Sequence, residues 1–566
     1  MKMKTILMGA ACAFAMAPAA FAERGSDGQL NIIYWQAPST MNQYLSGGNK
    51  EQDAAALVNE PLARYDASGA IVPWLVDEVP TVENGGVSAD LKTITWKLTE
   101  GLKWSDGTPV TSADVKFTWE YCVDPDGGCA SSNYFDGVAS IDTPDDRTAV
   151  INFSEPKPFP YGPFVGASTP IIQKAQFENC VGAKAQECTT ENFNPIGTGP
   201  FVVTDFRPND VISFKANENY RDPNKPAFAT VTFKGGGDAQ AAGRSVLETG
   251  EFDYAWNLQL SPDVLASMEA AGKGTVIKGF GTSVERIMIN LTDVSPDLGD
   301  ERGTVKHPHP FLSDINVRKA LSMAIDRALL TKIGYGETGK PTCNVLPAPA
   351  IYVSTANDAC LTQDIDGANK LLDDAGWVKG SDGVREKDGM RLKVLYQTST
   401  NAVRQKYQAA IKQWWNQIGV EVELRNISAS VFFGSDPGSN DTFQKFFADV
   451  EMYTNNFNGT ADPEGYMASW TCAQIPSPEN QWQGNNMPRF CNDDYEALVK
   501  EMAVTGDINK RAELAKAMND MLMQNYIMLP ITHRSNVSAR SNTLGGVDMN
   551  VWDSQMWNVA DWTRAK

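Results

Sequence analysis

The chain has 566 residues, with 49 basic and 69 acidic side chains and a formal net charge of −20. A charge of that sign disfavours binding to nucleic acid or to anionic membrane surfaces, because both are polyanions. The length exceeds the roughly 250–300 residues that one hydrophobic core usually supports, so we expect at least two lobes.

Residues 1–22 are typical of a cleaved secretory signal. Two lysines precede an apolar run over residues 6–17, and Ala20-Phe21-Ala22 supplies a small-residue cleavage site. The run is shorter than the ~20 residues that span a bilayer. Cys12 lies within the run but lacks the preceding leucine of a lipoprotein box, which disfavours a lipid anchor. We therefore expect export to the periplasm as a free protein.

The cysteines that remain after this cleavage fall along the chain as pairs of near neighbours. In an exported protein an even set of this kind favours disulfides. A zinc site is the alternative, but no CxxC motif occurs and the histidines lie elsewhere. The predicted bonds are Cys122–Cys129, Cys180–Cys188, Cys343–Cys360 and Cys472–Cys491.

A strand, a turn and a helix are predicted between residues 95 and 119. Apolar and polar side chains alternate over residues 95–98, and Asp106-Gly107 is a turn dipeptide. Thr111 or Ser112 then caps the helix. No side chain in this segment carries chemistry, so the pattern indicates scaffold.

Helical spacing returns in two later segments. Residues 317–329 carry an apolar stripe that begins after Ser313 or Asp314, either of which can cap a helix. Residues 368–375 carry a second stripe, which stops at Gly376. We therefore predict one helix in each segment.

A strand–helix–strand unit is predicted over residues 392–424. Side chains alternate over residues 392–396 and 420–424, and apolar residues recur at helical spacing over 403–418, before Gly419. Such a right-handed crossover joins strands of a parallel or mixed sheet, which makes the fold class α/β.

Motifs for catalysis, nucleotide binding or metal binding are weak. The chain has three histidines and no Gly-x-Ser-x-Gly elbow, so a Ser-His-Asp hydrolase lacks support. Residues 334–340 match the spacing of a phosphate loop, but a helix precedes them and Pro341 follows. His307-Pro308-His309 offers half of a metal site, with a surface loop as the alternative. We therefore predict no enzyme activity, no cofactor and no metal.

Several segments resemble one family, the large extracytoplasmic solute-binding proteins that deliver oligopeptides, dipeptides and similar solutes to ABC importers. Each match is weak alone, but the matches follow one another in order along nearly the whole chain. They are YWQAPSTMNQYLSGG (34–48), residues 97–119, GTGPFVVTDFRPND (197–210), NENYRDPNKPAF (217–228), LETGEFDYAW (247–256), NVRKALSMAIDRALL (316–330) and ANKLLDDAGW (368–377).

The resemblance implies a two-lobe periplasmic binding protein fold of the large peptide-binding type. That fold has mixed sheets, an extra subdomain in lobe I and two crossing hinge segments. From the sequence we place the first crossing at residues 280–285 and the return at 529–532. Lobe I is expected at residues 23–284 and 530–566 with a subdomain inserted at about 60–195, and lobe II at 285–529.

The resemblance also implies a function. The protein would be the periplasmic solute-binding component of an ABC importer, a monomer that captures peptides between its lobes and passes them to permease subunits in the inner membrane. A non-peptide solute such as a sugar, an opine or a metal chelate is an alternative within that mechanism. An exported hydrolase is a more distant alternative, and a membrane-receptor partner is also compatible with the fold.

Amide side chains replace an expected carboxylate in the predicted site. In peptide-binding members an acidic residue shortly before an Asp-Pro pairs with the ligand α-amino group, and here Asn455 and Asn456 occupy that segment. A neutral amide bonds an ammonium about half as strongly as a carboxylate, which favours a neutral or amide-seeking ligand. Glu60, Glu285 or Glu451 is the alternative carboxylate.

Aromatic residues beside polar residues complete the candidate site, since such mixtures are typical of pocket walls, although large aromatic residues more often fill cores. Arg489, next to a predicted disulfide, suits a ligand carboxylate, with a surface arginine as the alternative. The predicted ligand-binding residues are Tyr34, Trp35, Asn59, Glu60, Trp256, Tyr453, Asn455, Asn456, Phe457, Trp482 and Arg489.

Overall fold

A computed structural model describes residues 23–456 and 462–565 of the chain. The predicted signal and Phe457 lie outside the described residues. Within those two ranges, no helix combines the length and the apolar character needed to cross a membrane.

The first large sheet has seven strands, contributed by the start, the middle and the end of the described chain. Its pairing is mixed, since Gln29–Tyr34 lies parallel to both neighbours and the outer pairs are antiparallel. In order across the sheet the strands are Gly274–Gly279, Asn536–Ser541, Tyr254–Trp256, Gln29–Tyr34, Thr230–Gly235, Val211–Ala216 and Phe201–Arg207.

Alternating side chains give this sheet a core on each face. Along the first strand, Leu30, Ile32 and Tyr34 join one hydrophobic cluster, whereas Ile33 and Trp35 pack against another. The strand period of two explains this division, because successive side chains point to opposite faces. Both faces are therefore covered, as in α/β folds.

The second large sheet has six strands and is also mixed. It lies between two further hydrophobic clusters, which contain Tyr396 and Tyr453 respectively. In order its strands are Gly339–Pro341, Met528–Arg534, Val284–Ile289, Val450–Asn455, Lys393–Ser399 and Glu421–Ile427.

A smaller antiparallel sheet stands on a core of its own, which includes Trp96 and Phe164. Its strands are Thr93–Lys97, Thr148–Phe153 and Val138–Asp145. The remaining strands form short pairs or triples, namely Ala63–Tyr65 with Ile71–Pro73, Val378–Lys379 with Arg385–Lys387 and Met390–Arg391, and Leu544–Gly545 with Thr563–Arg564.

Helices cover the sheets and fill the connections. Before the strand Val284–Ile289 they are Asn49–Ala55, Ser112–Val123, Lys174–Phe177, Thr189–Phe193, Ala239–Leu247 and Pro262–Glu269. After that strand they are Ile315–Met323, Arg327–Gly334, Ile365–Asp374, Ala402–Gln417, Ala429–Phe432, Glu464–Ala468, Asp493–Ala503 and Ile508–Gln524.

The predicted strand–helix–strand unit is confirmed. Strand Lys393–Ser399 lies parallel to Glu421–Ile427, and helix Ala402–Gln417 connects them. The helix near residue 112 is also confirmed, with Thr111 as the cap: its backbone N–H donates to Asp114 Oδ2 at 2.9 Å, the reciprocal bond of a capping box.

One predicted helix is wrong in extent, because residues 317–329 belong to two helices. The first ends at Met323, and Asp326 begins the second by accepting a hydrogen bond from the Leu329 backbone N–H at 2.9 Å. Aspartate is a strong N-cap, so it favours a helix start even where the apolar stripe continues. The phosphate-loop spacing lies after this point, where Gly334 ends the second helix.

The chain passes from one large sheet to the other at two neighbouring places. Residues 280–283 connect strands Gly274–Gly279 and Val284–Ile289, and Ser535 connects Met528–Arg534 with Asn536–Ser541. Residues 530–534, which the sequence assigns to lobe I, thus belong to a strand of the second sheet. The strand continues past the predicted return because its Arg534 N–H donates to Ser283 O.

The structure pairs the cysteines as the sequence predicts. The bonds are Cys122–Cys129, Cys180–Cys188, Cys343–Cys360 and Cys472–Cys491, with Cα–Cα distances between 4.8 and 5.9 Å. Distances of this size are normal for disulfides.

Replacing both Cys472 and Cys491 with serine should lower the free energy of unfolding by about 3 kcal/mol, because the bond closes a loop with a sequence separation of 19. The matched variant lacks Cys122 and Cys129, whose separation is 7, and should lose about 2 kcal/mol. Denaturant unfolding measures both losses. An equal or larger loss for the shorter loop would contradict the chain-entropy explanation.

Candidate ligand-binding site

A cleft of about 960 Å³ opens between the two large sheets. The lobe I wall contains Gln36, Asn49, Lys50, Asp53, Trp256, Asn257, Asn550, Asp553 and Gln555, and the facing wall contains Arg404, Phe433, Phe443, Tyr453, Thr454, Asn455, Asn456, Asn485, Met487 and Arg534.

A second cavity of about 560 Å³ continues the cleft toward the small antiparallel sheet. The two cavities share Asn49, Asn455, Asn456 and Asn485, so they form one continuous space. Serine, asparagine and tyrosine side chains dominate the added wall. The whole space is therefore polar, with aromatic rings concentrated in the first cavity.

Strand ends place the main side chains of the cleft. Trp256, Asn455 and Arg534 are each the last residue of a strand, and these strands come from both large sheets. Binding sites in open α/β sheets commonly lie where strands end. Helix Asn49–Ala55 adds Asp53 from the lobe I side.

Four predicted site residues line the cleft: Trp256, Tyr453, Asn455 and Asn456. Tyr34 lies directly behind Trp256, with ring centroids 4.6 Å apart and planes inclined by 4°. Its hydroxyl donates to a carboxylate oxygen of the cleft wall, on Asp53, at 3.0 Å. Tyr34 therefore supports the wall from beneath.

Glu60 is buried away from the cleft, contrary to its predicted position. Its carboxylate accepts hydrogen bonds from Trp74 Nε1 at 2.7 Å and Thr198 Oγ1 at 2.9 Å, and it pairs with Arg221 at 2.7 Å. Asn59 beside it donates to Gln43 Oε1 at 3.2 Å. Thr198 and Arg221 lie more than a hundred residues from Glu60, so the local sequence pattern does not reveal them.

Arg489 is also buried in the fold and absent from the cleft wall. Its guanidinium donates to backbone carbonyls, including Gly303 O at 3.2 Å and Lys445 O at 2.9 Å. Trp482 packs edge-on against Phe447 with centroids 5.5 Å apart. Both side chains therefore hold the loop that carries the disulfide.

Trp35 belongs to the hydrophobic core beneath the first sheet, and its Nε1 donates to Asn257 O at 2.9 Å. The set of proposed ligand contacts therefore omits Trp35, Asn59, Glu60, Trp482 and Arg489. Tyr34 remains only as a supporting residue.

His307 and His309, which the sequence offered as two ligands of a possible metal site, bond different partners. His309 is buried and bonds Asp449 Oδ1 at 2.9 Å, whereas His307 bonds Glu301 at 2.7 Å. His309 Nδ1 also accepts the Leu312 backbone N–H at 3.0 Å. Each ring thus has a structural role of its own.

Sequence reasoning missed Lys50, Asp53, Arg404 and Arg534 as cleft residues. The helix that carries the first two is only seven residues long and has no clear apolar period. Arg404 lies in the first turn of the predicted crossover helix, where it is buried and paired with Glu285. Arg534 offered a signal, because it ends a strand at the return crossing.

A buried ion pair stands behind the lobe II wall. Arg404 Nε donates to Glu285 Oε1 at 2.7 Å, and Tyr335 and Thr454 hydroxyls donate to Glu285 Oε2 at 2.9 and 2.6 Å. Burial opposes ionisation of this carboxyl, but the Arg404 guanidinium and the hydrogen bonds outweigh it and lower the pKa of Glu285. Glu285 is therefore an ionised structural group.

Glu451, the third alternative carboxylate, behaves differently. It is buried beneath the wall, where Gln397 Nε2 donates to its Oε2 at 2.9 Å. Burial raises the pKa of Glu451 well above its usual value, against the lowering effects of the Gln397 hydrogen bond and of Arg489 and Arg425. Its side chain does not line the cleft.

Asp53, an acidic group of the lobe I wall, forms no ion pair within residues 23–456 and 462–565. Ser554 Oγ and Gln555 N donate to its Oδ1 at 2.6 and 3.0 Å. Burial raises the pKa of Asp53 to about 6, against the lowering effect of the Ser554 and Tyr34 hydroxyls.

The two large sheets and the cleft between them agree with the two-lobe fold that the sequence predicts. The family model described as bacterial extracellular solute-binding proteins, family 5 Middle, matches residues 70–476. The chain belongs to that family.

Relatives and solved structures agree with this assignment. Protein XP55 of Streptomyces lividans is 27% identical over 397 residues, 70% of this chain and 66% of that protein. The glutathione-binding protein GsiB of Escherichia coli K12 is 24% identical over 467 residues, 82% of each protein. The oligopeptide-binding protein AppA of Bacillus subtilis, solved with a nonapeptide, superposes with a TM-score of 0.81 at 19% identity, covering 96% of this chain and 100% of that chain.

Replacing Glu285 with glutamine should lower the free energy of unfolding at pH 7 by ~3–5 kcal/mol, because Arg404 would remain buried without its counter-ion. Denaturant unfolding measures the loss. The pKa of Glu285 is lower in the folded protein than the value of about 4.3 expected in the unfolded chain, so the ionised carboxylate stabilises the fold above that pH. This stabilisation is lost as the pH falls from about 4.3 through the lower pKa of the folded state.

Glu423→Gln is the matched control, since the Glu423 side chain is 61% exposed on a strand of the same sheet. It should change the free energy of unfolding by less than ~0.5 kcal/mol. Equal effects of the two substitutions would show that the buried pair does not stabilise lobe II.

Proposed function

We propose that the protein is the periplasmic component of an ABC importer that captures short peptides between its lobes and delivers them to the permease. It acts as a monomer, leaves the covalent bonds of its ligand unchanged, and is exported with its signal removed. The disulfides support export, because such bonds persist in oxidising compartments.

The observation that carries the peptide assignment is the number of amide side chains around the cleft. An amide offers both a donor and an acceptor, which is what each peptide unit of a ligand requires. Aromatic rings between them suit apolar side chains of varied shape. The amides are Gln36, Asn49, Asn257, Asn455, Asn456, Asn485, Asn536, Asn550 and Gln555.

Polar contacts between the lobes support capture by closure. Asn133 Nδ2 donates to Gly465 O at 2.8 Å, Asn485 Nδ2 donates to Ala130 O at 3.2 Å, and Lys157 pairs with Glu464. Contacts of this kind are modest individually, so they close the lobes reversibly. A ligand that touches both walls adds the differential affinity that shifts the lobes toward the closed form.

A peptide screen tests the assignment. A thermal-shift panel of di- to octapeptides should contain peptides that stabilise the protein, by ~2.7 kcal/mol at about 100 times the dissociation constant. Mass spectrometry of co-purifying solutes supplies an independent measurement. Stabilisation by sugars, opines or metal chelates, with none from any peptide, would contradict the peptide assignment.

A further inference from the structure

Most charges around the cleft are compensated within the protein. Each compensated side chain has an oppositely charged neighbour that is buried or nearly so, and therefore needs nothing from a ligand. These pairs are Lys50 with Glu51, Arg404 with Glu285, and Arg64 with Asp553.

Two wall residues remain uncompensated in the described part of the chain. Asp53 is 4% exposed and forms no ion pair there. Arg534 is 5% exposed; its Nε donates to Thr454 Oγ1 at 3.0 Å and its Nη2 to Asn257 Oδ1 at 2.8 Å, both neutral acceptors. Asp53 and Arg534 carry opposite charges and line the same cavity.

Glu285 does not neutralise Arg534. That carboxylate already bonds the Arg404 guanidinium and accepts from Thr454 and Tyr335, so two guanidinium groups share one carboxylate. One positive charge is therefore left on this wall. A buried charge without a partner is costly, and a ligand that supplies the partner recovers that cost.

The geometry leaves room for a ligand at both groups. An ionised carboxylate offers about four acceptor positions, and Ser554, Gln555 and Tyr34 occupy three positions on Asp53. A guanidinium has five N–H donors, of which the two hydrogen bonds above use two. Both groups are thus held in place by neighbours and still able to bind.

We propose that the cleft binds a short zwitterionic peptide whose α-amino group pairs with Asp53 of lobe I and whose α-carboxylate pairs with Arg534 beside the hinge. This inference rests on the proposed function and specifies its ligand. Asp53 and Arg534 line one cavity between the lobes, so a short peptide that occupies this cavity can reach both groups with its two ends.

The carboxylates predicted from the sequence do not take the amino group. Glu60 is paired with Arg221, Glu285 is paired with Arg404, and Glu451 is fully buried behind the wall. In the described part of the chain the segment of Asn455 and Asn456 provides amides, which bond the peptide units between the two ends.

Chemical blocking of peptide ends tests the pairing. The probe is the tripeptide that the protein retains best from a random tripeptide mixture, with its N-acetylated and C-amidated forms, measured by calorimetry at pH 7. Each block should weaken binding by about 10- to 100-fold, the equivalent of losing one charge-assisted bond. Equal affinities of the free and blocked peptides would overturn the proposal.

Two substitutions assign each end to its residue. In Asp53→Asn, acetylation of the peptide should have no further effect, whereas amidation should still weaken binding. In Arg534→Gln, amidation should have no further effect, whereas acetylation should still weaken binding. Each variant has already lost the pairing that the ineffective block would remove. Asp205→Asn and Arg207→Gln, on an exposed strand of lobe I, are matched controls and should keep both effects. An acetylation effect that persists in Asp53→Asn would place the amino group elsewhere and overturn the proposal.

A pH series on the unsubstituted protein is the second measurement, in case a variant does not fold. The titratable groups around Asp53 are Tyr34, Tyr254 and Asp553, and the tyrosines stay protonated in this range. The pKa of about 6 means that affinity for the free peptide should fall about tenfold from pH 7 to pH 5, as Asp53 gains a proton. The acetylated peptide should show no such fall, and an equal fall for both would contradict the pairing.

The experiments distinguish failure of the peptide function from failure of the pairing at the peptide ends. If no tripeptide binds, the peptide function fails and this inference fails with it. If tripeptides bind but their ends can be blocked without loss, the peptide function stands and only the pairing of Asp53 and Arg534 is overturned.

Discussion

The connection between the two large sheets is the constraint on which the site depends. Strands Met528–Arg534 and Asn536–Ser541 are consecutive in the chain, yet each completes a different sheet, with Ser535 alone between them. The other crossing lies alongside, since Ser283 O accepts from Arg534 N and Ser283 Oγ donates to Asn536 Oδ1 at 2.8 Å. Only a few backbone dihedrals next to the cleft therefore separate the two packed sheets, and short connections of this kind are where hinge closure would be absorbed.

Arg534 lies at the connection between the two large sheets and has polar contacts with both. It ends the last strand of lobe II, but its Nη2 bonds Asn257 Oδ1 of lobe I across the cleft. A carboxylate placed on this guanidinium would join both lobes at the point where they turn. Binding energy at such a point differs between open and closed forms, which is the condition for a ligand to shift the equilibrium. Arg489 lacks this property, because backbone carbonyls of one lobe surround it.

Local pattern predicted the scaffold better than the site, for a physical reason. The crossover of residues 392–424 depends on alternation and helical spacing, both of which are local, and it is confirmed. Two of the partners of Glu60, Thr198 and Arg221, lie more than a hundred residues away, so the local sequence gave no sign that this carboxylate is buried and paired. Asp53 likewise becomes a cleft residue only when the end of the chain brings Ser554 against it. Contacts between distant parts of the chain determine which charged side chains have an oppositely charged partner within the protein. The charged side chains of the cleft wall without such a partner are the ones proposed to bind the ligand.

The charge balance of the cleft also bears on the alternatives to a peptide. A neutral sugar would satisfy the amides of the wall but would leave Asp53 and Arg534 buried without counter-ions, and closure would then increase their desolvation cost. An anionic chelate without an amino group would satisfy Arg534 alone and leave Asp53 to take up a proton. A ligand with one ammonium and one carboxylate relieves both costs at once, and more strongly in the closed form, where water is excluded. Because the amides between the two charged groups bond peptide units rather than particular side chains, such a site fixes the ends of its ligand and tolerates variety between them.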